Sequence, residues 1–331
     1  MVRLFLLYNL LIMEMPGAES LREHQEEVLE ELQLLAAPHI ERLGRPFELL
    51  DVDPENYDAQ SLLKHKIDSE PADADTVEAI ATAIEPRFPA IQEALRQNDQ
   101  ANDRLHIIGE LLKSGNSVIL ATNHSDIRDI AFVLSAYYIE LSRRGYEFST
   151  GLVMSKILGF FGVEDMGPAT DILGKLCNEQ FYSFPRTPSI EQSKIAGAVT
   201  ATYNRFVRAA MNSSLKDGNV LFAMAPSGTT DKPDESGILH LGKLSHGTMS
   251  LMQDKHRLVL PVAIDVPSDP NKSVVMRNLP PRSVRSDEEA HAVMGELATE
   301  LNRAETGTSY VYDMPPDETD KRRWLGRRSI T

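Results

Sequence analysis

From Asp103 onward, short apolar runs alternate with stretches of helical periodicity, which predicts an α/β domain: a mainly parallel mixed sheet flanked by helices. Three runs carry the expectation. Val118 to Ala121, Val220 to Ala225 and Leu258 to Ile264 are each too short for a typical helix, and they read as strands buried on both faces. Residues before about 100 show helical patterns and no convincing strand. An N-terminal helical domain over 1–100 is therefore expected ahead of an α/β domain over 101–331.

In chain order, Leu4 to Met13 is apolar but too short to span a bilayer, and it contains Tyr8 and Asn9. A single preceding Arg3 and a poor cleavage site near Ala18 argue against a signal peptide. The stretch is expected to pack as a helix, or to lie upstream of a start at Met13 or Met15. Ser20 and Glu23 form a capping box for a helix whose stripe is Leu21, Val28, Leu32 and Leu35, broken by Pro38 and Gly44. Further helices are expected over Thr76 to Ile84 and Ile91 to Leu95. Leu105, Ile108 and Leu112 mark another, stopped by Gly115.

The strand at Val118 follows, then a helix from about Asp126 with Ile127, Ile130, Ala131, Leu134 and Tyr138 on its apolar side. An extended segment is expected around Gly151 to Met154, and the longest helix from Glu191 to about Asn212. Ser286 with Glu289 caps a last helix carrying Val293, Met294 and Leu297. No internal repeat or low-complexity segment is visible. The basic tail Lys321 to Arg328, with Trp324, reads as a solvated end or as a contact for an anionic membrane surface.

Hydrophobic content of 42% and charged content of 25% are those of an ordinary globular protein. A formal net charge of -15 argues against nucleic acid as a partner, since a phosphate backbone is repelled overall. Cys177 is the single cysteine, which excludes an intramolecular disulfide and a cysteine zinc site, and fits a reducing compartment such as the cytoplasm.

The candidate chemistry sits at the turn after the Val118 strand, in Thr122-Asn123-His124-Ser125-Asp126-Ile127-Arg128-Asp129. A helix starting between His124 and Asp129 puts the carboxylate on its first turn, within reach of the imidazole. That is a general base and its orienting acid, with the nucleophile left to a substrate hydroxyl. The same residues have a structural reading: Ser125 or Asp126 as N-cap, with Asp126 and Asp129 forming a variant capping box.

After the strand at Val220 comes Ala225-Pro226-Ser227-Gly228-Thr229-Thr230-Asp231-Lys232-Pro233, a small-residue loop of the kind that lines ligand sites at the edge of α/β sheets. It reads equally as an ordinary turn. Ser227 lacks the flanking glycines of a nucleophile elbow, which argues against a serine hydrolase. Lys156, Arg186 and Lys232 are candidates to gather around an acceptor phosphate.

Three blocks, 122–129, 222–233 and 258–264, stand in the order seen in glycerolipid acyltransferases. The Pro-Ser-Gly form of the second most resembles the soluble glycerol-3-phosphate acyltransferases of the plant-plastid type. The resemblance covers residues 105 to 270 and implies a helical domain ahead of an α/β catalytic domain. It implies acyl transfer from an acyl carrier protein or coenzyme A thioester to glycerol 3-phosphate, with no further cofactor. His124 becomes the base and Asp129 its partner; Ser227, Gly228, Thr229, Thr230 and Lys232, with Lys156 and Arg186, become the substrate-binding set. Where that family carries two phosphate-holding arginines, this chain has Thr230 and Lys232, and a neutral Thr cannot replace a bidentate guanidinium. Two alternatives stay open: a lysophosphatidic acid acyltransferase touching the membrane surface, and a noncatalytic acyl-carrier or lipid-binding protein.

Overall fold

A computed structural model describes residues 72–155 and 211–313, apart from 101–102, 127, 229–230, 245, 255, 268, 270 and 304–307, together with 64–66, 176, 179–183 and 208. Its helices are α1 (Ala74–Ile84), α2 (Phe88–Gln100), α3 (Arg104–Lys113), α4 (Asp129–Arg143), α5 (His246–Met252) and α6 (Asp287–Arg303). Its strands are β1 (Lys64–Lys66), β2 (Ser117–Thr122), β3 (Ser149–Ser155), β4 (Glu179–Ser183), β5 (Val220–Met224), β6 (Lys232–Pro233), β7 (Leu239–His240), β8 (Arg257–Asp265), β9 (Val275–Asn278) and β10 (Tyr310–Val311).

Seven strands form one sheet in the order β1-β4-β3-β5-β2-β8-β9. The five central strands are parallel, and the two edges, β1 on β4 and β9 on β8, are antiparallel. This is the expected α/β architecture with a mostly parallel mixed sheet flanked by helices. A small second sheet joins β10, β7 and β6.

The apolar run of β2 is buried along its whole length because both faces are covered. Val118 and Leu120 point into a core with α1 to α4, while Ile119 and Ala121 point into a second core with α5, α6 and the helical residues 211–217. The strand period of two thus sorts one apolar run between two layers. Helix α4 is buried at every position from Ala131 to Leu141. A helix covered all round needs a second layer outside it, and α1 supplies this. Packing is continuous across residue 100: Val77, Phe88, Ile91 and Leu95 of α1 and α2 share one core with β2 and α4.

Two expectations are corrected. Residues 64–66 form a strand where none was expected. A three-residue Lys-His-Lys edge strand, paired with β4, carries no apolar run that would reveal it. The helix expected from about Asp126 begins at Asp129, with a turn before it. The end of α3 follows its sequence: the Gly115 N–H donates to Leu112 and the Asn116 N–H to Leu111, a Schellman closure with Gly115 at φ +83°. The Ser286 hydroxyl accepts the Glu289 N–H at the start of α6, as expected. The expected helix over 191–212 lies largely outside the described residues, as does the segment 1–63.

Candidate functional site

Strands β2, β5 and β8 lie side by side and parallel, with Ala121 opposite Met224 and Thr122 opposite Val262. The segments leaving their carboxyl ends therefore meet at one edge, the place where open α/β sheets bind ligands. Asn123 is the first residue past β2. Its buried side chain donates to the Ile264 carbonyl and accepts the Ile264 N–H, each at 2.8 Å, so an amide side chain continues the β2–β8 ladder by one step. The same amide donates to Ser125 Oγ at 3.3 Å.

The next residue is held by the loop after β5. The His124 N–H donates to Asp231 Oδ2 at 2.8 Å, and the Asp231 N–H donates to the His124 carbonyl at 2.7 Å. Asp231 Oδ1 accepts a third bond, from the Gly242 N–H at 3.3 Å. A carboxylate from one sequence block thus grips the main chain of the other, across 107 residues of chain.

Within the turn, Asp129 Oδ2 accepts the Asp126 N–H at 2.6 Å and the Ser125 hydroxyl at 3.2 Å. Asp126 Oδ1 in turn accepts the Arg128 N–H at 2.8 Å and its Nε at 2.9 Å. Arg128 also lies 3.8 Å from Glu85 and stacks over the Phe132 ring. The expected bond between His124 and Asp129 is not made, and among the described residues the buried His124 Nδ1 has no hydrogen-bond partner. The reason lies in where α4 starts. With Asp129 as its first residue, the carboxylate turns back onto the N–H three residues earlier, so half of the capping box forms instead of the dyad.

Burial sets the proton affinities. It lowers the pKa of the His124 imidazole below the ordinary 6.5, so the ring is neutral at physiological pH. Asp129 is fully enclosed, and burial raises its carboxyl well above the usual carboxylate range. Burial likewise raises Asp231 to about 6, against the lowering effect of the His124 and Gly242 amides.

Two further groups close the site from elsewhere in the chain. Tyr310, on β10, is held by Asn302, whose side chain pairs with both its N–H and its carbonyl. Among the described residues the buried Tyr310 hydroxyl makes no geometric hydrogen bond, nor does Asp265 Oδ2 at the end of β8. Burial, and next the Asp265 carboxylate, push the phenol above its ordinary value.

Of the residues expected to bind substrate, Ser227 is half-buried and Gly228 exposed, in a turn closed by the Gly228 N–H donating to Ala225. Gly228 has φ +68°, which favours glycine. Lys232 is exposed on β6, opposite His240 in register. Lys156, Arg186, Thr229 and Thr230 lie outside the described residues. Asp231, Asn123, Asp265 and Tyr310 were not singled out by sequence reasoning, and Ser125 was expected only as a candidate N-cap. Asp231 was within reach of that reasoning, as an acid in a small-residue loop directly after a buried strand; Asn123 and Tyr310 were not, since they meet Ile264 and Leu239 across long stretches of chain.

Among the described residues, no group of three or more His, Cys, Asp or Glu side chains is arranged to hold a metal ion, and no helix is long and apolar enough to cross a membrane. No family model matches the chain, and no curated protein matches it.

Proposed function

We propose that this chain is an O-acyltransferase, moving a fatty acyl group from an acyl carrier protein or coenzyme A thioester to the hydroxyl of glycerol 3-phosphate. One observation carries the reading: the His124 turn and the 225–233 block, which resemble the acyltransferase blocks in sequence, are joined at the carboxyl edge of β2 and β5 by the Asp231 exchange with His124. A neutral, half-buried imidazole there takes the proton of the acceptor hydroxyl as its oxygen attacks the thioester carbonyl. The C–S bond then breaks, and the thiolate recovers that proton from the imidazolium. Asp129 shapes the turn through the Asp126 N–H, with no direct bond to the ring. The activity belongs in the cytoplasm, with transient contact to a membrane surface where the acylated product leaves.

A second reading, a noncatalytic acyl-carrier or lipid-binding protein, is favoured by that same capture of the Asp129 carboxylate. Thioester consumption by purified protein, measured with glycerol 3-phosphate, lysophosphatidic acid, dihydroxyacetone phosphate and glycerol as acceptors, separates the two. Acyl transfer that falls about a hundredfold or more in His124→Ala supports the enzyme. Full activity in that variant ends the proposal, and thioester binding without turnover selects the second reading.

A further inference from the structure

We propose that Asp231 is a positioning residue for His124, a clamp through which the loop after β5 sets where the imidazole stands. The assignment rests on the acyltransferase reading for its kinetic consequence, but its geometry is independent of it. Asp231 makes three bonds at this junction: its N–H and Oδ2 engage the carbonyl and N–H of His124, and its Oδ1 takes the Gly242 N–H. On the opposite side, Asn123 is tied to Ile264. The His124 backbone is therefore held by Asp231 and that of the preceding residue is fixed through the Asn123 side chain, while among the described residues the ring nitrogen Nδ1 has no hydrogen-bond partner. Main-chain anchoring orients a ring whose Nδ1 is bonded to no side chain among the described residues.

The carboxylate is costly to keep there. Asp231 is 6% exposed, and among the described residues its carboxylate is bonded to backbone N–H groups and to no Lys or Arg. A residue needed only for packing is better served by an uncharged side chain, whereas a carboxylate accepts two N–H groups on its two oxygens. An Asn keeps one of those acceptors and turns an NH2 group toward the other donor. The remaining charged groups of the turn, Asp126, Arg128 and Asp129, bond among themselves and with Ser125, without using Asp231 as a hydrogen-bond partner.

The test compares Asp231→Asn and Asp231→Glu with the natural chain by ring-proton NMR titration of the histidines, with His124→Gln assigning the His124 signal, and by acyl-transfer kinetics. In Asp231→Asn, with cooperative unfolding retained, the His124 titration moves up toward that of a free imidazole as the turn loosens to water. The kcat falls roughly tenfold to a hundredfold with KM for the thioester within about twofold, the mark of a misplaced catalytic group. Asp231→Glu, which keeps two acceptors, recovers part of both. A folded Asn variant with an unchanged His124 titration overturns the clamp. Should the Asn variant not fold, the Glu variant decides, since natural titration and rate with displaced acceptors overturn it equally. If the natural chain transfers no acyl group, the titration arm still judges Asp231, so failure of the clamp and failure of the acyltransferase reading are told apart.

Discussion

The side-chain amide of Asn123 and the backbone of Ile264 exchange two hydrogen bonds of 2.8 Å, so the β2–β8 ladder runs one residue beyond the strand. Both partners are buried. Replacing Asn123 by Leu leaves the Ile264 N–H and carbonyl without partners, and a buried polar group left unpaired costs about 1 to 3 kcal/mol. Asn123→Leu is therefore expected to lower stability by about 3 kcal/mol in urea unfolding, with an unchanged m value. Asn123→Asp is expected to lose more at neutral pH, because a buried negative charge then faces the Ile264 carbonyl. A loss below about 1 kcal/mol in both variants is incompatible with this ladder step.

Much of the fold was legible because continuous apolar runs such as Val118 to Ala121 have one stable use, a strand covered on both faces. The site was legible only in outline. That His124 and the 225–233 block belong together follows from β2 and β5 being neighbours, a fact of sheet order that periodicity does not encode. The spacing of His124 and Asp129 misled on one point. It brings the two residues into one turn but is silent on which donor wins the carboxylate, and the Asp126 N–H at 2.6 Å does. Asn123 and Tyr310 were illegible for the reason that makes them useful: Asn123 is defined by its bonds to Ile264 and Tyr310 by strand pairing with Leu239, both far along the chain.

Asp129 makes stability depend on pH in an unusual direction. Burial raises its folded pKa well above the ordinary carboxylate value of 3.8, so the folded protein binds the proton more tightly than the unfolded chain. Its contribution is most favourable below the unfolded pKa and is lost as pH rises through the folded one. Asp231 has the same sign with a folded value of about 6, so its loss occurs between 3.8 and about 6. At roughly 1.4 kcal/mol per tenfold change in affinity, that loss is about 3 kcal/mol at neutral pH. Asp129→Asn can keep an acceptor for the Asp126 N–H while removing the charge. It is expected to flatten the fall in stability with rising pH and to be at least as stable as the natural chain near pH 8. Denaturant unfolding across that range is the measurement, and an unchanged slope argues against a buried ionisable Asp129.

Gly115 and Gly218 share φ +83° but differ in surroundings, which separates two causes of glycine dependence. A Cβ at Gly115 meets nothing within 4 Å, while one at Gly218 falls 2.1 Å from the Gly115 carbonyl oxygen. Gly115→Ala is expected to cost about 1 to 2 kcal/mol, the left-handed penalty alone. Gly218→Ala adds a backbone clash and is expected to cost about 2 kcal/mol more. Thermal unfolding of the two variants, made in parallel, ranks them; equal losses count against the close approach of these two turns.

The pH profile of acyl transfer follows from the environment of His124. Because burial makes its folded pKa lower than the ordinary imidazole value of 6.5, the ring gives up its proton at a lower pH than a free imidazole does. The base is lost only on protonation, so the acid limb of kcat/KM for the free enzyme is expected below pH 6.5. The stability linkage has the opposite sign to that of Asp129: the unfolded chain takes the proton more readily, so His124 costs stability as pH falls below 6.5. His124→Gln therefore abolishes transfer at every pH and also removes part of the acid-side loss of stability. A rate profile whose acid limb lies above pH 6.5, or an acid-side stability unaffected by this substitution, rules out a buried His124 as the base.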